Sequence, residues 1–531
     1  MGRALFDALD RRSMLGIAAG YGALAATGVM AQAATPEPAP AEAAPPAGEE
    51  PFSYQTVIET ARKLAEKSYE APALELTPPF ADLDYDHYRA IRFRPERRFW
   101  RDANRGFELD LLPPGFYYKD RIEIALVEGG VARTLAFDPG IFHYHPDYFP
   151  FPDGAAPADT PHDLAYSGFR VRYAINRPDV MDEFLVFQGA SYFRAVAREQ
   201  LYGLSARGLA LGTGSPEGEE FPIFRKFWIN EPEVAATSLT IQALLDSQSV
   251  TGAFEFVVRP GAETVMDVRS VLFPRADLTT SGIAPLTSMY YFGPKSRARI
   301  DDYRDAVHDS SGLQMVTGMG ERIWRPLDNP LALQFSAFSD ENPQGFGLTQ
   351  RARSFNHYED AEAHYERRPS AWIAPMNDWG RGSVVLVEIP SDTEFNDNIV
   401  AFWRPAEQLA RGSEHRFDYR LLWSGLPPDE TPLARVVATR GGAKVAEPQL
   451  RTFVIDFHLG ELPFEGLEPR VAATAGEVTH VALLRLPAEA RARVAITFDP
   501  KDAGLAELRL FLVDAEGLTA SETWLARWTP R

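Results

Sequence analysis

AFEFVVRPGAETVMDVRSVL, residues 253–272, is the stretch on which the fold turns. Phe254, Phe256 and Val258 alternate with Ala253, Glu255 and Val257, and Val265 to Leu272 repeats the pattern around Asp267 and Arg269. A period of two in β-branched and aromatic residues describes a half-buried strand. Pro260-Gly261 separates the two runs. The same alternation recurs at Phe107-Glu-Leu-Asp-Leu, Arg121-Ile-Glu-Ile-Ala-Leu, Phe169-Arg-Val-Arg-Tyr and Ser383 to Ile389. Strands so spaced, parted by Gly, Pro and Asp, predict an all-β protein of antiparallel sheets packed as a large sandwich. One helix is expected, from about Tyr54 to Tyr69. Val57, Ala61, Leu64 and Ala65 share a face there, and Ser53 can cap it.

A chain of 531 residues exceeds one ordinary core, so two domains are expected. Composition changes after Trp423. Ser424 to Pro432 (SGLPPDETP) is rich in turn residues, and shorter strands follow at Thr452–Phe457, His480–Leu486, Ala492–Phe498 and Leu508–Val513. The reading is a sandwich domain over 51–424, a linker over 425–434 and a small Ig-like sandwich over 435–531. Residues 34–50 (ATPEPAPAEAAPPAGEE) have nothing to bury and read as a disordered linker. Residues 1–33 read as a signal peptide. Arg3, Arg11 and Arg12 precede an apolar run, Ala31-Gln32-Ala33 fits a cleavage site, and Arg11-Arg12-Ser13-Met14-Leu15 resembles a twin-arginine export signal.

The chain has no cysteine, which excludes thiol catalysis and thiolate metal sites. Its net charge of −20 argues against nucleic acid and anionic membrane surfaces, and suits a neutral substrate such as a sugar. Gly203-Leu-Ser-Ala-Arg lacks the second glycine of a nucleophile elbow. Gly212-Thr-Gly-Ser-Pro-Glu-Gly lacks the Lys-Ser/Thr of a phosphate loop and reads as an ordinary loop. The histidines show no metal-ligand spacing, so neither a metal nor a cofactor is expected. Between about 286 and 403, aromatics and carboxylates mix in glycine-rich sequence. Val307-His308-Asp309, Tyr365-Glu-Arg-Arg368-Pro-Ser-Ala-Trp372, Asp378-Trp379-Gly and Glu394-Phe-Asn-Asp397-Asn are the densest pieces. Aromatic faces stack on sugar rings and carboxylates bond their hydroxyls, although core packing and turns use the same residues. Glycoside cleavage needs a carboxyl pair, and Asp309, Asp340, Asp378, Glu394 and Asp397 all qualify by type.

Several long blocks narrow the choice. Gly189-Ala-Ser-Tyr-Phe-Arg194, Tyr202-Gly-Leu-Ser-Ala-Arg-Gly-Leu-Ala210, Ala284-Pro-Leu-Thr-Ser-Met289, Asn342-Pro-Gln-Gly-Phe-Gly-Leu348 and Ser521-Glu-Thr-Trp524 follow one another as in the glucan biosynthesis G/D proteins of osmoregulated periplasmic glucan synthesis. From Phe52 onward the chain resembles that family, and its twin-arginine start resembles the D branch. The resemblance implies a large β-sandwich of galactose-mutarotase type followed by an Ig-like domain. It implies a periplasmic, anomer-inverting enzyme acting on β-1,2-glucan, with Asp397 as general acid and Asp309 on the base side. Substrate contacts carry over to Tyr365, Arg368 and Glu394, and the same blocks offer His308, Trp372 and Trp379. Asp397 is expected among groups that disfavour its charge, Glu394 included. A homodimer and the inner-membrane glucan glucosyltransferase are the implied partners. The segment between Trp423 and Val454 is shorter than is typical, which leaves open whether water or a sugar hydroxyl accepts the cleaved glycan. Two alternatives stand beside hydrolysis. One is a transglycosylase closing β-1,2-glucan through an α-1,6 bond; the other is a non-catalytic glucan-binding scaffold.

Overall fold

Residues 250–274 form the expected pair of strands, Val250–Arg259 and Thr264–Pro274. They are antiparallel, with Phe254 opposite Ser270, Phe256 opposite Val268 and Val258 opposite Met266. The computed structural model describes residues 52–530 except 73, 158, 298–299, 427–430 and 488–489. The proposed signal peptide, the 34–50 linker and the middle of the 425–434 linker therefore lie outside the described residues.

Alternation assigns each face of this pair to a different core. Phe254, Phe256, Val258, Met266 and Val268 point into the main core. Ala253 and Val271 point the other way, beneath the helix Tyr54–Ala65, whose Val57, Ile58 and Ala61 cover them. The strands are thus buried on both faces here, more than alternation alone predicts. The helix ends before the expected Tyr69, because the Arg275 guanidinium takes the carbonyls of Leu64 (2.9 Å) and Lys67 (3.0 Å) that another turn would need. At its start the Ser53 N–H donates to Thr56 Oγ1 at 3.2 Å.

Two large sheets face each other across the main core, as an all-β sandwich requires. One runs Phe107–Leu112, Gly168–Tyr173, Asp182–Gln188, Tyr192–Ala195, Ser205–Arg207, Ser281–Ser288, Ile399–Pro405, Arg381–Glu388, Gln334–Glu341. The other carries the Val250–Pro274 pair at its centre and continues through His415–Ser424, Ser370–Pro375, Gly345–Thr349, Gly312–Val316 and Arg322–Pro326. Beyond residue 434 the strands pack around a second core of Val436, Ile455, Phe457, Val494, Ile496, Leu510 and Trp524, joined by Trp324 from the first part of the chain. There Arg322–Pro326 pairs in parallel with Thr523–Trp528, Trp324 opposite Trp524, so the second sheet runs on into the C-terminal strands. Among the described residues no helix is long and apolar enough to cross a membrane.

The main core is knit by phenylalanines. The Phe256 ring meets those of Phe187, Phe193, Phe224 and Phe254 at 5.2–6.0 Å. Phe256→Ala would leave a cavity bridging both sheets and should cost about 3–5 kcal/mol. Chemical denaturation measures this, and a loss under about 1 kcal/mol would mean that the core relaxes around the gap.

Candidate active site

Three consecutive residues, Ser288-Met289-Tyr290, organise the site. The Ser288 carbonyl accepts the Asn398 N–H at 3.0 Å, and the Met289 carbonyl accepts the Asp309 N–H at 2.9 Å. Asn398 then clamps Tyr290 from its side chain: Oδ1 accepts the Tyr290 N–H at 2.8 Å, and Nδ2 donates to the Tyr290 and Ile389 carbonyls at 3.0 Å each. The Ser288 and Ser310 hydroxyls bond at 2.8 Å. Successive carbonyls of an extended chain point to opposite edges. The segments carrying Asp397 and Asp309 therefore flank 288–290 on opposite sides, their backbones two strand spacings, roughly 10 Å, apart.

On the Asp397 side, alternation sends Phe193, Ala206 and Leu286 into the core and Tyr192, Arg194, Arg207 and Thr287 to the opposite face. Arg194 Nη2 lies 3.7 Å from Asp397 Oδ2, and the Asp397 side chain is 12% exposed. Buried Arg207 donates to Thr287 Oγ1 (2.8 Å) and Glu219 Oε1 (2.6 Å), and lies 4.6 Å from the centre of the Tyr192 ring. Burial pushes the Tyr192 hydroxyl well above its ordinary range, with the Glu219 and Asp397 charges adding and Arg207 opposing. Burial works against the charge on Arg207, but Tyr192, Glu219 and Asp397 outweigh it.

On the Asp309 side, Arg368 Nε stands 3.8 Å from Asp309 Oδ1, and both side chains are 4% exposed. Arg368 also donates to the carbonyls of Ala363 (3.1 Å) and Tyr202. Gly203 packs closely on it, since a Cβ there would stand 3.1 Å from Arg368 Cβ and push it aside. Buried Tyr365 donates its hydroxyl to Glu394 Oε2 at 3.2 Å. Arg304 gathers three carboxylates: Nη1 reaches Asp360 (2.6 Å) and Glu394 (2.9 Å), while Nε and Nη2 take Asp302 at 3.0 and 2.7 Å. The Arg304 hydrogen bonds hold Asp302 below the usual carboxylate range. For Asp360 burial pulls upward, but the Ala363 and Glu362 N–H groups and Arg304 prevail and lower it.

Residues 52–528 match the family described as "Periplasmic glucan biosynthesis protein, MdoG". Glucans biosynthesis protein G of Vibrio cholerae serotype O1 is 48% identical over 483 residues, spanning 90% of this chain and 87% of that protein. Glucans biosynthesis protein G of Shewanella frigidimarina is 48% identical over 482 residues, spanning 90% and 85%. This chain belongs to the periplasmic glucan biosynthesis (MdoG) family. Among solved structures, the N-terminal domain of the Streptococcus gordonii adhesin Sgo0707 is 8% identical with a TM-score of 0.08, over 65% of this chain and 86% of that one.

Of the residues that the MdoG-family resemblance singles out, the structure gathers Asp309 with Arg368 and Tyr365 with Glu394, and joins the Asp309 segment to that of Asp397 through 288–290. It does not bring the two tryptophans there. Trp379 fills the sandwich core against Phe346, Trp403, Phe417 and Tyr419, and Trp372 packs with Val316 and Leu422. Their faces are taken by protein, which removes the ground for reading them as sugar platforms. His308 is buried too, stacked on Tyr290 at 5.2 Å and 7°. Beside Asp397 stands the Arg194 guanidinium, and Glu394 bonds Arg304 and Tyr365. Arg194, Arg207, Arg304 and Asn398 are the polar residues that sequence reasoning left without these roles. The alternation of Tyr192-Phe-Arg194 and Ser205-Ala-Arg207 could have found the first two. A cavity of about 350 Å³ lies elsewhere, between 431–435 and 458–462.

Arg304→Gln should loosen the 394–398 loop and cost about 3 kcal/mol near neutral pH. Asp302 and Asp360 have folded-state pKa values below their unfolded ones. Their contribution is therefore present above about pH 4 and is lost as pH falls below it. Denaturation from pH 7 to 3 should show the gap between the wild-type protein and Arg304→Gln closing below about pH 4. A gap that persists undiminished at pH 3 contradicts the assignment.

Proposed function

We propose that this chain is a periplasmic enzyme that cleaves β-1,2-glucan with inversion at the anomeric carbon. The observation that carries this reading is the pair Asp397 and Asp309, fixed on opposite sides of Ser288-Met289-Tyr290. Inverting enzymes keep their carboxyls roughly 6.5–9.5 Å apart to admit a water. A backbone offset of two strands suits that gap or a somewhat longer, relayed one. Asp397 protonates the leaving oxygen. Asp309 takes up the nucleophile's proton through ordered groups or water. Tyr365 and Arg368, buried in the free protein, and Glu394 carry the glycan contacts that the resemblance implies.

Arg194 bears on the acid step. A carboxyl 3.7 Å from a guanidinium must turn from it to deliver a proton. A bound glycan would assist, since desolvation favours a neutral carboxyl and competing sugar hydroxyls occupy the guanidinium. The role of this chain in glucan biosynthesis would then be to trim or rearrange nascent β-1,2-glucan handed on by the inner-membrane glucosyltransferase. Arg11-Arg12 supports export of the folded protein by the twin-arginine route, as in the D branch, although the relatives compared above bear the protein G name. A homodimer belongs to the same reading.

Incubation with linear β-1,2-glucan tests it: shorter chains support hydrolysis, rings support transglycosylation, and unchanged glucan supports a scaffold. Asp397→Asn and Asp309→Asn should each lower turnover by about 10² or more while still binding glucan. Exposed Asp378, in the Asp-Trp-Gly turn, is the control, and Asp378→Asn should stay close to wild type. Full activity in Asp397→Asn overturns the assignment. Replacing Arg11 and Arg12 with Lys should leave precursor in the cytoplasm, and unchanged export excludes the twin-arginine route.

A further inference from the structure

Gln350-Arg351-Ala352-Arg353 leaves the strand Gly345–Thr349 and runs between the cluster of Val307, Tyr358 and Tyr365 and the second core at Trp324. Buried Gln350 donates from Nε2 to the carbonyls of His308 (2.8 Å) and Tyr365 (3.4 Å), the backbones of the two segments that carry Asp309 and Arg368. The Arg351 N–H donates to Ser311 Oγ at 3.0 Å, two residues past Asp309. The Arg351 guanidinium turns the other way. It forms a two-pronged pair with Glu522, Nη2 to Oε1 at 2.7 Å and Nη1 to Oε2 at 2.8 Å. It lies 3.7 Å from the centre of the Trp324 ring and also takes Gln314 Oε1 at 3.0 Å. Glu522, 0% exposed, accepts the Val436 N–H at 2.9 Å, and its own N–H donates to the Ala434 carbonyl at 2.9 Å. Arg353 repeats the bridge in parallel, donating to the Glu366 (3.2 Å) and Arg368 carbonyls and to the Gly425 carbonyl.

A buried carboxylate held by both arms of one guanidinium has a single geometry, and so does that guanidinium. The backbone at 350–353 is therefore pinned from the C-terminal side. Gln350 passes that position to His308 and Tyr365. We propose that Glu522 is a positioning residue: through Arg351 and Gln350 it sets the placement of Asp309 and of the Tyr365–Arg368 turn from the second core. This rests on the proposed glucan-cleaving reading for its catalytic consequence, and on hydrogen bonds alone for the mechanical one.

The test is Glu522→Gln in the full chain, which keeps the shape and removes the charge that fixes the fork. With linear β-1,2-glucan, kcat should fall about tenfold or more while KM stays within about twofold, the pattern of a misplaced catalytic group rather than a lost binding contact. Amide hydrogen exchange gives a readout free of activity: exchange at Asp309, Ser311 and Arg368 should quicken about tenfold, with Phe254 and Phe256 unchanged. Asp456→Asn is the control. It breaks another buried pair of the C-terminal part, with Arg440 and Arg493, and should leave exchange at 309–311 as in wild type. If Glu522→Gln does not fold, Arg351→Lys decides, since it keeps the charge but loses the two-pronged geometry. Wild-type exchange at Asp309 and Ser311 in a folded variant overturns the proposal. Absence of turnover in the wild-type protein defeats the glucanase reading and leaves the exchange result standing.

Discussion

The constraint on which the site depends is the divergence of two adjacent carbonyls, Ser288 to one edge and Met289 to the other. One belongs to a strand of the ten-stranded sheet; the other begins a short excursion, Tyr290–Phe292 with Val307–His308, that leaves it. Where a strand departs from its sheet, its free edge can hold a segment from elsewhere in the chain. Here that segment brings Asp309 beside a sheet whose neighbouring strand brings Asp397. Two carboxylates distant in sequence are thereby placed by main-chain hydrogen bonds, which are stiffer than side-chain contacts.

Around this frame the charges are arranged as a series of satisfied clusters. Arg207 with Glu219, Arg304 with Asp302, Asp360 and Glu394, and Arg351 with Glu522 each use a guanidinium fork to hold carboxylates that would be costly to bury alone. Arg suits this task because its planar donors fix two partners at once. The Arg304 cluster ties together the loops that carry Asp302, Asp360 and Glu394, which have little regular structure of their own. A site built on loops needs such fastening to keep its groups in register.

Much of the fold was legible in the sequence. The alternation at 253–272, 169–173, 383–389 and 492–498 reads directly as strands, because a sheet face repeats every second residue. Less legible was the burial of Ala253 and Val271 under the Tyr54–Ala65 helix, since nothing local marks a strand as covered on its second face. Residue type offered five carboxylate candidates, and only the resemblance chose Asp309 and Asp397 among them, because these two owe their placement to Met289 and to the neighbour Asn398. Trp372 and Trp379 misled for the opposite reason. Their frequency among glycines suggests a sugar cleft, yet Gly345 is small because the Trp372 indole lies against it, and Gly347 because the Ala371 carbonyl does. Salt-bridge hubs such as Arg304 leave no local sequence pattern, since their partners come from separate loops.

The central claim is that Asp397 and Asp309 act as acid and base across a gap wide enough to admit the nucleophile between them, the spacing of an inverting enzyme. The most direct measurement is proton NMR of the products in the first minutes of reaction with linear β-1,2-glucan, before the new reducing ends mutarotate. The account predicts that the new reducing ends appear first as the α anomer. Initial formation of the β anomer would contradict it, as would the absence of any new reducing or ring-closed product.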